Sequence, residues 1–213
     1  MVDIAQALDA HQNNKHAEAE RLYHELLAAD PNNPNILHLM AISYGQRGLL
    51  SKAEEYVLKA IQLNPDSSSF YNSYANIKKY QHDITAAIDL YKKSIIINSI
   101  NPAAYYNLGI IYLQRQDYKI SEEFLYLAIK QKEDYEEAYI MLIQCLHESA
   151  QYKKASELLN KAKKLDFQSS KFILFYAQNL QFQNNLTKAK SMLLKYVDIS
   201  PDDYQGHHHL ATT

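Results

Sequence analysis

The tightest constraint in this sequence is a column of small residues at a fixed interval. Ala19, Ala53, Ala87, Ser121, Ala155 and Ala189 recur every 34 residues without an insertion or deletion. A second column, Ala7, Ala41, Ala75, Gly109 and Ala177, keeps the same interval and is broken only where Ile143 stands in the fifth unit. Two helices of a hairpin approach closely only where no side chain projects between their backbones, so the columns mark helix crossings. Large apolar columns complete each buried stripe. Met40, Tyr74, Leu108, Leu142 and Tyr176 lie on the first helix of the units; Tyr23, Val57, Tyr91, Leu125, Leu159 and Leu193 lie on the second.

Turn chemistry follows the same period. Asp30-Pro31-Asn32-Asn33-Pro34, Asn64-Pro65-Asp66-Ser67, Asn98-Ser99-Ile100-Asn101-Pro102 and Ser200-Pro201-Asp202-Asp203 each close an apolar helix and open the next. Within units, Gln46-Arg47-Gly48 and Arg115-Gln116-Asp117 read as short links, and Gly48 supplies the positive φ a helix C-terminus favours. The expectation is an all-α array of antiparallel hairpins, twelve helices in six units at about 1–33, 34–67, 68–101, 102–135, 136–169 and 170–203. Asp3 and Gln6 occupy columns that are apolar elsewhere, as in a terminal repeat whose outer face meets water. Residues 204–213 read as the start of a truncated seventh unit, with Leu210 and Ala211 in the large and small columns, which is the expectation for a piece of a longer array. Ending there leaves Met192 and Tyr196 incompletely covered and opens self-association through the C-terminal repeat.

Several function classes are disfavoured by composition. A net charge of −2 provides no basic field for a phosphate backbone or an anionic leaflet, so neither nucleic acid nor membrane is expected as a partner. The single cysteine, Cys145, permits no internal disulfide and suits a reducing cytoplasm. It lies in an apolar helical setting without a defined basic neighbour, so it reads as a buried structural thiol. The start, Met1-Val2-Asp3-Ile4-Ala5-Gln6, lacks the basic-then-apolar pattern of an export signal, and no apolar run approaches the ~18 residues of a membrane span.

With four glycines, no Gly-x-Gly-x-x-Gly, Gly-x-x-x-x-Gly-Lys or Gly-x-Ser-x-Gly loop occurs. Six histidines are scattered without metal-ligand spacing, and the run His207 to His209 reads as a solvated helix start. No cofactor, metal or catalytic residue is expected. Most of the 18 tyrosines read as packing: Tyr71, Tyr105 and Tyr139 share one column, and Tyr118 and Tyr152 another.

The pattern is similar to the tetratricopeptide repeat family over residues 1 to 203. The third and fourth units carry the likeness best, in Tyr71-Asn72-Ser73-Tyr74-Ala75 with Ala87 and Tyr105-Tyr106-Asn107-Leu108-Gly109 with Tyr112 and Ala128. Departures are the absence of Trp, Lys78 where Tyr44 or Tyr112 stand in other units, and Glu133 and Phe167 in place of the closing proline. The resemblance implies a right-handed superhelical solenoid whose first helices line a concave face that holds extended peptides.

That face nominates Asn72, Ser73, Asn76 and Tyr80 in the third unit, Tyr106, Asn107, Ile110 and Gln114 in the fourth, Met141 and Gln144 in the fifth, and Phe175, Gln178 and Phe182 in the sixth. Amides there offer both donor and acceptor to a peptide backbone, and the aromatic rings offer anchors. Ile140, Met141 and Ala103 stand where the family's carboxylate-clamp members carry charge, which disfavours a terminal-carboxylate binder. The resulting expectation is a non-catalytic protein-binding scaffold. The alternative is the recognition arm of a larger enzyme, because the opening Ala7-Leu8-Asp9-Ala10-His11-Gln12 through Ala17 to Tyr23 resembles bacterial arrays fused to glycosyltransferase, methyltransferase or sulfotransferase domains.

Overall fold

A computed structural model describes residues 3–165, 167 and 169–213. Among them are thirteen α-helices and no strand. The helices are α1 (Ile4–Gln12), α2 (His16–Ala29), α3 (Pro34–Gln46), α4 (Leu50–Leu63), α5 (Ser68–Tyr80), α6 (Ile84–Ile97) and α7 (Pro102–Gln114). They continue with α8 (Tyr118–Gln131), α9 (Glu136–Glu148), α10 (Tyr152–Ala162), α11 (Ser170–Phe182), α12 (Leu186–Ile199) and α13 (Tyr204–Ala211). They fall into two compact units, Met1–Ala104 and Tyr105–Thr213.

Local chemistry starts the helices where the turns were expected. Asn33 Oδ1 accepts from the backbone N–H groups of Asn35 and Ile36, with Pro34 at the first helical position of α3. Asp3, Asp83 and Asp203 cap α1, α6 and α13 in the same way. Between the two helices of every hairpin one residue adopts a left-handed backbone: Asn14, Gly48, His82, Gln116, Ala150 and Asn184, again 34 apart. The next residue's N–H closes the helix by bonding back to the carbonyl five residues earlier, as Leu49 does to Tyr44 and Gln151 to Leu146. Gly48 was legible as such a position; its five equivalents carry side chains and were not.

In the first unit, Ala7, Ala19, Ala41, Ala53, Tyr23, Met40 and Val57 build one core, and Leu37, Ala60 and Phe70 another. In the second unit Leu125, Ala138, Leu142, Ile143, Ala155 and Leu159 form a core beside Ile173, Ala177, Leu193 and Tyr196. All six members of the Ala19 column have no exposed surface. In the second small column Gly109 packs as closely: a Cβ there would stand 2.5 Å from Leu125 Cγ, and its carbonyl accepts the Ser121 hydroxyl at 2.8 Å.

Two departures from the repeat pattern acquire identifiable contacts. Lys78, which stands where other units have tyrosine, pairs with Glu54, Nζ to Oε1 2.5 Å. Phe167 replaces a proline and packs between the rings of Tyr139 and Phe172, at 5.3 Å from each. The second helix that precedes it, α10, has 11 residues before a 3-10 turn at Lys163–Leu165, whereas α4, α6, α8 and α12 each have 14.

Tyr196 corrects the expectation of an uncovered sixth unit. It is 2% exposed, because α13 lays Gly206 on its ring and Asp203 accepts its hydroxyl. Met192 is only partly buried, as expected. The exposed apolar side chains in this region are Leu186, Leu194, Ile199 and Tyr204.

Candidate functional site

Each unit holds a groove built on its first helices. In the first unit a cavity of about 550 Å3 lies along α3 and α5, lined by Ile42, Gly45, Gln46, Ser73, Asn76, Ile77 and Tyr80 among others. In the second, a cavity of about 640 Å3 lies along α9, α11 and α13, lined by Gln144, His147, Glu148, Phe175, Gln178, Gln181, Phe182 and His209.

The two linings are equivalent positions of the repeat. Ile42, Gln46, Ser73, Asn76 and Tyr80 lie 102 residues, three periods, before Gln144, Glu148, Phe175, Gln178 and Phe182. A helix presents one stripe to a neighbouring first helix and the next stripe to the groove, so a constant period puts the same columns on the groove in every unit.

Of the nominated residues, the structure brings Ser73, Asn76 and Tyr80 together in the first unit and Gln144, Phe175, Gln178 and Phe182 in the second. The others line neither groove. Asn72 is half-buried, and its Oδ1 has no hydrogen-bond partner among the described residues. Tyr106 is half-buried against Tyr135, ring centroids 5.1 Å apart, and burial raises its phenol pKa with Glu137 adding to the effect. Met141 packs onto the core of the second unit. Asn107 and Ile110 are half-buried on α7, and Gln114 is exposed at its end.

The groove residues differ in what they have left to offer. Asn76 Oδ1 accepts the Tyr91 hydroxyl at 2.5 Å, so the groove meets its amide nitrogen. Tyr80 and Phe182 are the open anchors, 62% and 55% exposed. Phe182 is held flat on Tyr152, centroids 4.1 Å apart, and His147 abuts Phe175 and Phe182 at 5.8 and 5.5 Å. Asn179, itself buried, orients that imidazole: its Nδ2 lies 3.2 Å from His147 Nε2 and also donates to the Tyr152 carbonyl.

His147, Glu148, Gln181 and His209 were not nominated from sequence. A signal existed, since His147 and Gln181 lie three residues after Gln144 and Gln178 on the same helix face, and His209 falls in the Ser73 and Phe175 column. His209 also corrects the reading of its run as a solvated helix start. His207 and His208 are exposed, whereas His209 is half-buried and its Nε2 stands 2.9 Å from Gln178 Nε2. Among the described residues no group of three His, Cys, Asp or Glu side chains is placed to hold a metal. Cys145 is buried, donates through Sγ to the Tyr118 carbonyl at 3.3 Å, and has its pKa raised by burial. An inert thiol follows.

Helical hairpins at a 34-residue period, with grooves at equivalent positions of their first helices, define an α-helical repeat protein of the solenoid class. Two family models described as tetratricopeptide repeat match residues 10–77 and 90–123. Over those two stretches the chain carries tetratricopeptide repeats.

Among curated proteins it is similar to anaphase-promoting complex subunit 3 of Schizosaccharomyces pombe, 26% identical over 189 residues, which are 87% of this chain and 28% of that protein. BBSome complex member BBS4 of Mus musculus is 29% identical over 100 residues, 47% of this chain and 19% of that protein. The chain thus spans between 19% and 28% of the length of the curated relatives it matches. The solved structure of Pseudomonas aeruginosa pilF has the same fold, with a TM-score of 0.85 over 99% of this chain and 96% of that one at 15% identity.

Proposed function

We propose that this chain is a non-catalytic interaction scaffold that binds extended peptide or protein segments in the grooves of its first helices. The observation that carries the reading is the equivalence of the two grooves. Positions three periods apart converge in both units on an open cavity that has amides in its wall and one exposed ring, Tyr80 or Phe182, at its edge. Such a surface holds a peptide backbone through its amides and takes apolar side chains against the rings. The two curated relatives are named as members of multi-protein complexes, which fits a scaffold. No helix among the described residues is long and apolar enough to cross a membrane. The lone buried thiol suits a cytoplasmic setting.

The test is a peptide-display selection on the whole chain, followed by rebinding of the selected peptides to a Tyr80→Ala, Phe182→Ala double variant. Both side chains are largely exposed, so the helical circular-dichroism signal should be unchanged while binding is lost. Undiminished rebinding would place the interaction on another face and refute the groove reading.

A further inference from the structure

The groove of α9, α11 and α13 has an unusual hydrogen-bond balance. Gln144 Nε2 donates to Glu148 Oε1 at 2.7 Å. Gln178 Nε2 is directed at His209 Nε2, and Gln181 Nε2 donates to the His209 carbonyl at 3.2 Å and to Thr213 Oγ1 at 2.5 Å. Each of the three amides therefore spends an N–H on a protein partner, Gln181 both of its own, while their carbonyl oxygens stay open to a ligand.

The imidazoles do not reverse this balance. His147 Nε2 and His209 Nε2 each face an amide nitrogen, so each is a bare acceptor and its ring is neutral. Burial lowers the pKa of both, and His208 adds to the effect at His209. Glu148 is then the one carboxyl side chain among the residues lining the groove, and no lysine or arginine lines it. Phe175 and Phe182 line the same groove, and Phe182, with Tyr152 on one face, is 55% exposed.

A wall with open amide carbonyls, one carboxylate and two aromatic rings is complementary to a flat cation with many donors. We propose that this groove takes an arginine side chain of the bound segment, its guanidinium stacked on Phe182 and hydrogen-bonded to Glu148 and the glutamine carbonyls. The inference rests on the peptide-binding reading and names the chemistry of the partner. Arginine fits better than lysine because a planar guanidinium presents five donors in a fixed fork and lies flat on a ring. The equivalent groove of the first unit has Gln46 at the Glu148 position and Ser73 at the Phe175 position, so it lacks both the charge and the second ring.

Fluorescence polarisation with the whole chain tests this. The probes are labelled seven-residue Gly-Ser peptides bearing arginine, lysine, citrulline or leucine at the centre. Citrulline keeps the shape of arginine and removes its charge. The arginine probe is expected to bind at least tenfold more tightly than citrulline and severalfold more tightly than lysine, and to weaken as salt rises. Glu148→Gln, at an exposed position, should erase most of the difference between arginine and citrulline, and Phe182→Ala should weaken the arginine probe.

Equal affinity for arginine and citrulline, no binding of the arginine probe, or an arginine preference retained in Glu148→Gln would each overturn the inference. Peptides selected by display that bind through the Tyr80 and Phe182 anchors but carry no arginine would overturn it too, while leaving the scaffold reading intact.

Discussion

The ammonium of Lys78 sits 2.5 Å from the carboxylate of Glu54, and both side chains are largely covered, 17% and 23% exposed. Tyr74 and Gln81 donate to the same carboxylate at 2.9 and 2.8 Å. Burial pushes the Glu54 pKa up, but the hydrogen bonds from Lys78, Gln81 and Tyr74 outweigh it and hold the group ionised below its ordinary range. One period earlier, Glu20 accepts from Tyr44 at 2.6 Å and pairs with Arg47. Lysine and tyrosine thus meet the same need at the same column, a donor for a half-buried glutamate. Lys78→Ala is expected to lower the unfolding free energy by about 1–2 kcal/mol, and Lys78→Tyr to restore most of it; urea unfolding of the two variants measures both.

Gly109 is required where its α7 backbone crosses Leu125. Gly109→Ala would drive a methyl group to 2.5 Å from Leu125 Cγ and 3.3 Å from its backbone nitrogen, and the latter cannot move without shifting α8. A loss of about 2 kcal/mol is expected. Gly45, whose added Cβ would meet only Ala53 Cβ at 3.9 Å, is the control: Gly45→Ala should leave the thermal midpoint unchanged or raise it.

The left-handed column makes a prediction of opposite sign at two equivalent sites. Ala150 has φ 56° and Gly48 φ 74°, each just beyond a helix end. An L side chain in this conformation is disfavoured by about 1 kcal/mol relative to glycine. Ala150→Gly is expected to raise stability by roughly that amount, and Gly48→Ala to lower it similarly, although nothing lies within 4 Å of the added methyl. Differential scanning calorimetry of the two variants checks both directions.

Acid should weaken the first unit through His38. Burial pushes its pKa from 6.5 to about 4, and its ring rests on Phe70 with Nε2 2.8 Å from Ser73 Oγ. The unfolded chain takes up a proton near pH 6.5 that the folded chain refuses until about pH 4. This contribution is therefore fully present above pH 6.5 and is lost as pH falls toward 4, by about 2 kcal/mol at pH 4.5. Urea midpoints at pH 7 and 4.5 should differ less in His38→Gln than in the unaltered chain; an equal difference in both would exclude His38 as the source.

Much of the architecture is local and periodic, and for that reason it was readable in the chain. The small columns at Ala19 and Ala7 and the large columns at Tyr23 and Met40 each recur at 34 residues, because each hairpin meets its neighbours at the same contacts. The 34-residue period also placed Tyr80, Gln144, Phe175, Gln178 and Phe182 on groove-lining helix faces.

Which of those faces is open, and what it can still bind, depends on residues far away in sequence. Tyr106 was nominated beside Tyr80 but is half-buried against Tyr135, and Asn76 has its carbonyl taken by Tyr91. Gln178 and Gln181 are turned toward α13 by contacts about 30 residues away. Tyr196 is covered by Gly206 rather than left bare. Periodicity specifies the direction in which a side chain points, and that much the sequence determined alone. Hydrogen-bond valence and exposure are shared among all the groups that meet at a site, so only the tertiary structure decided which donors, acceptors and rings remain for a partner.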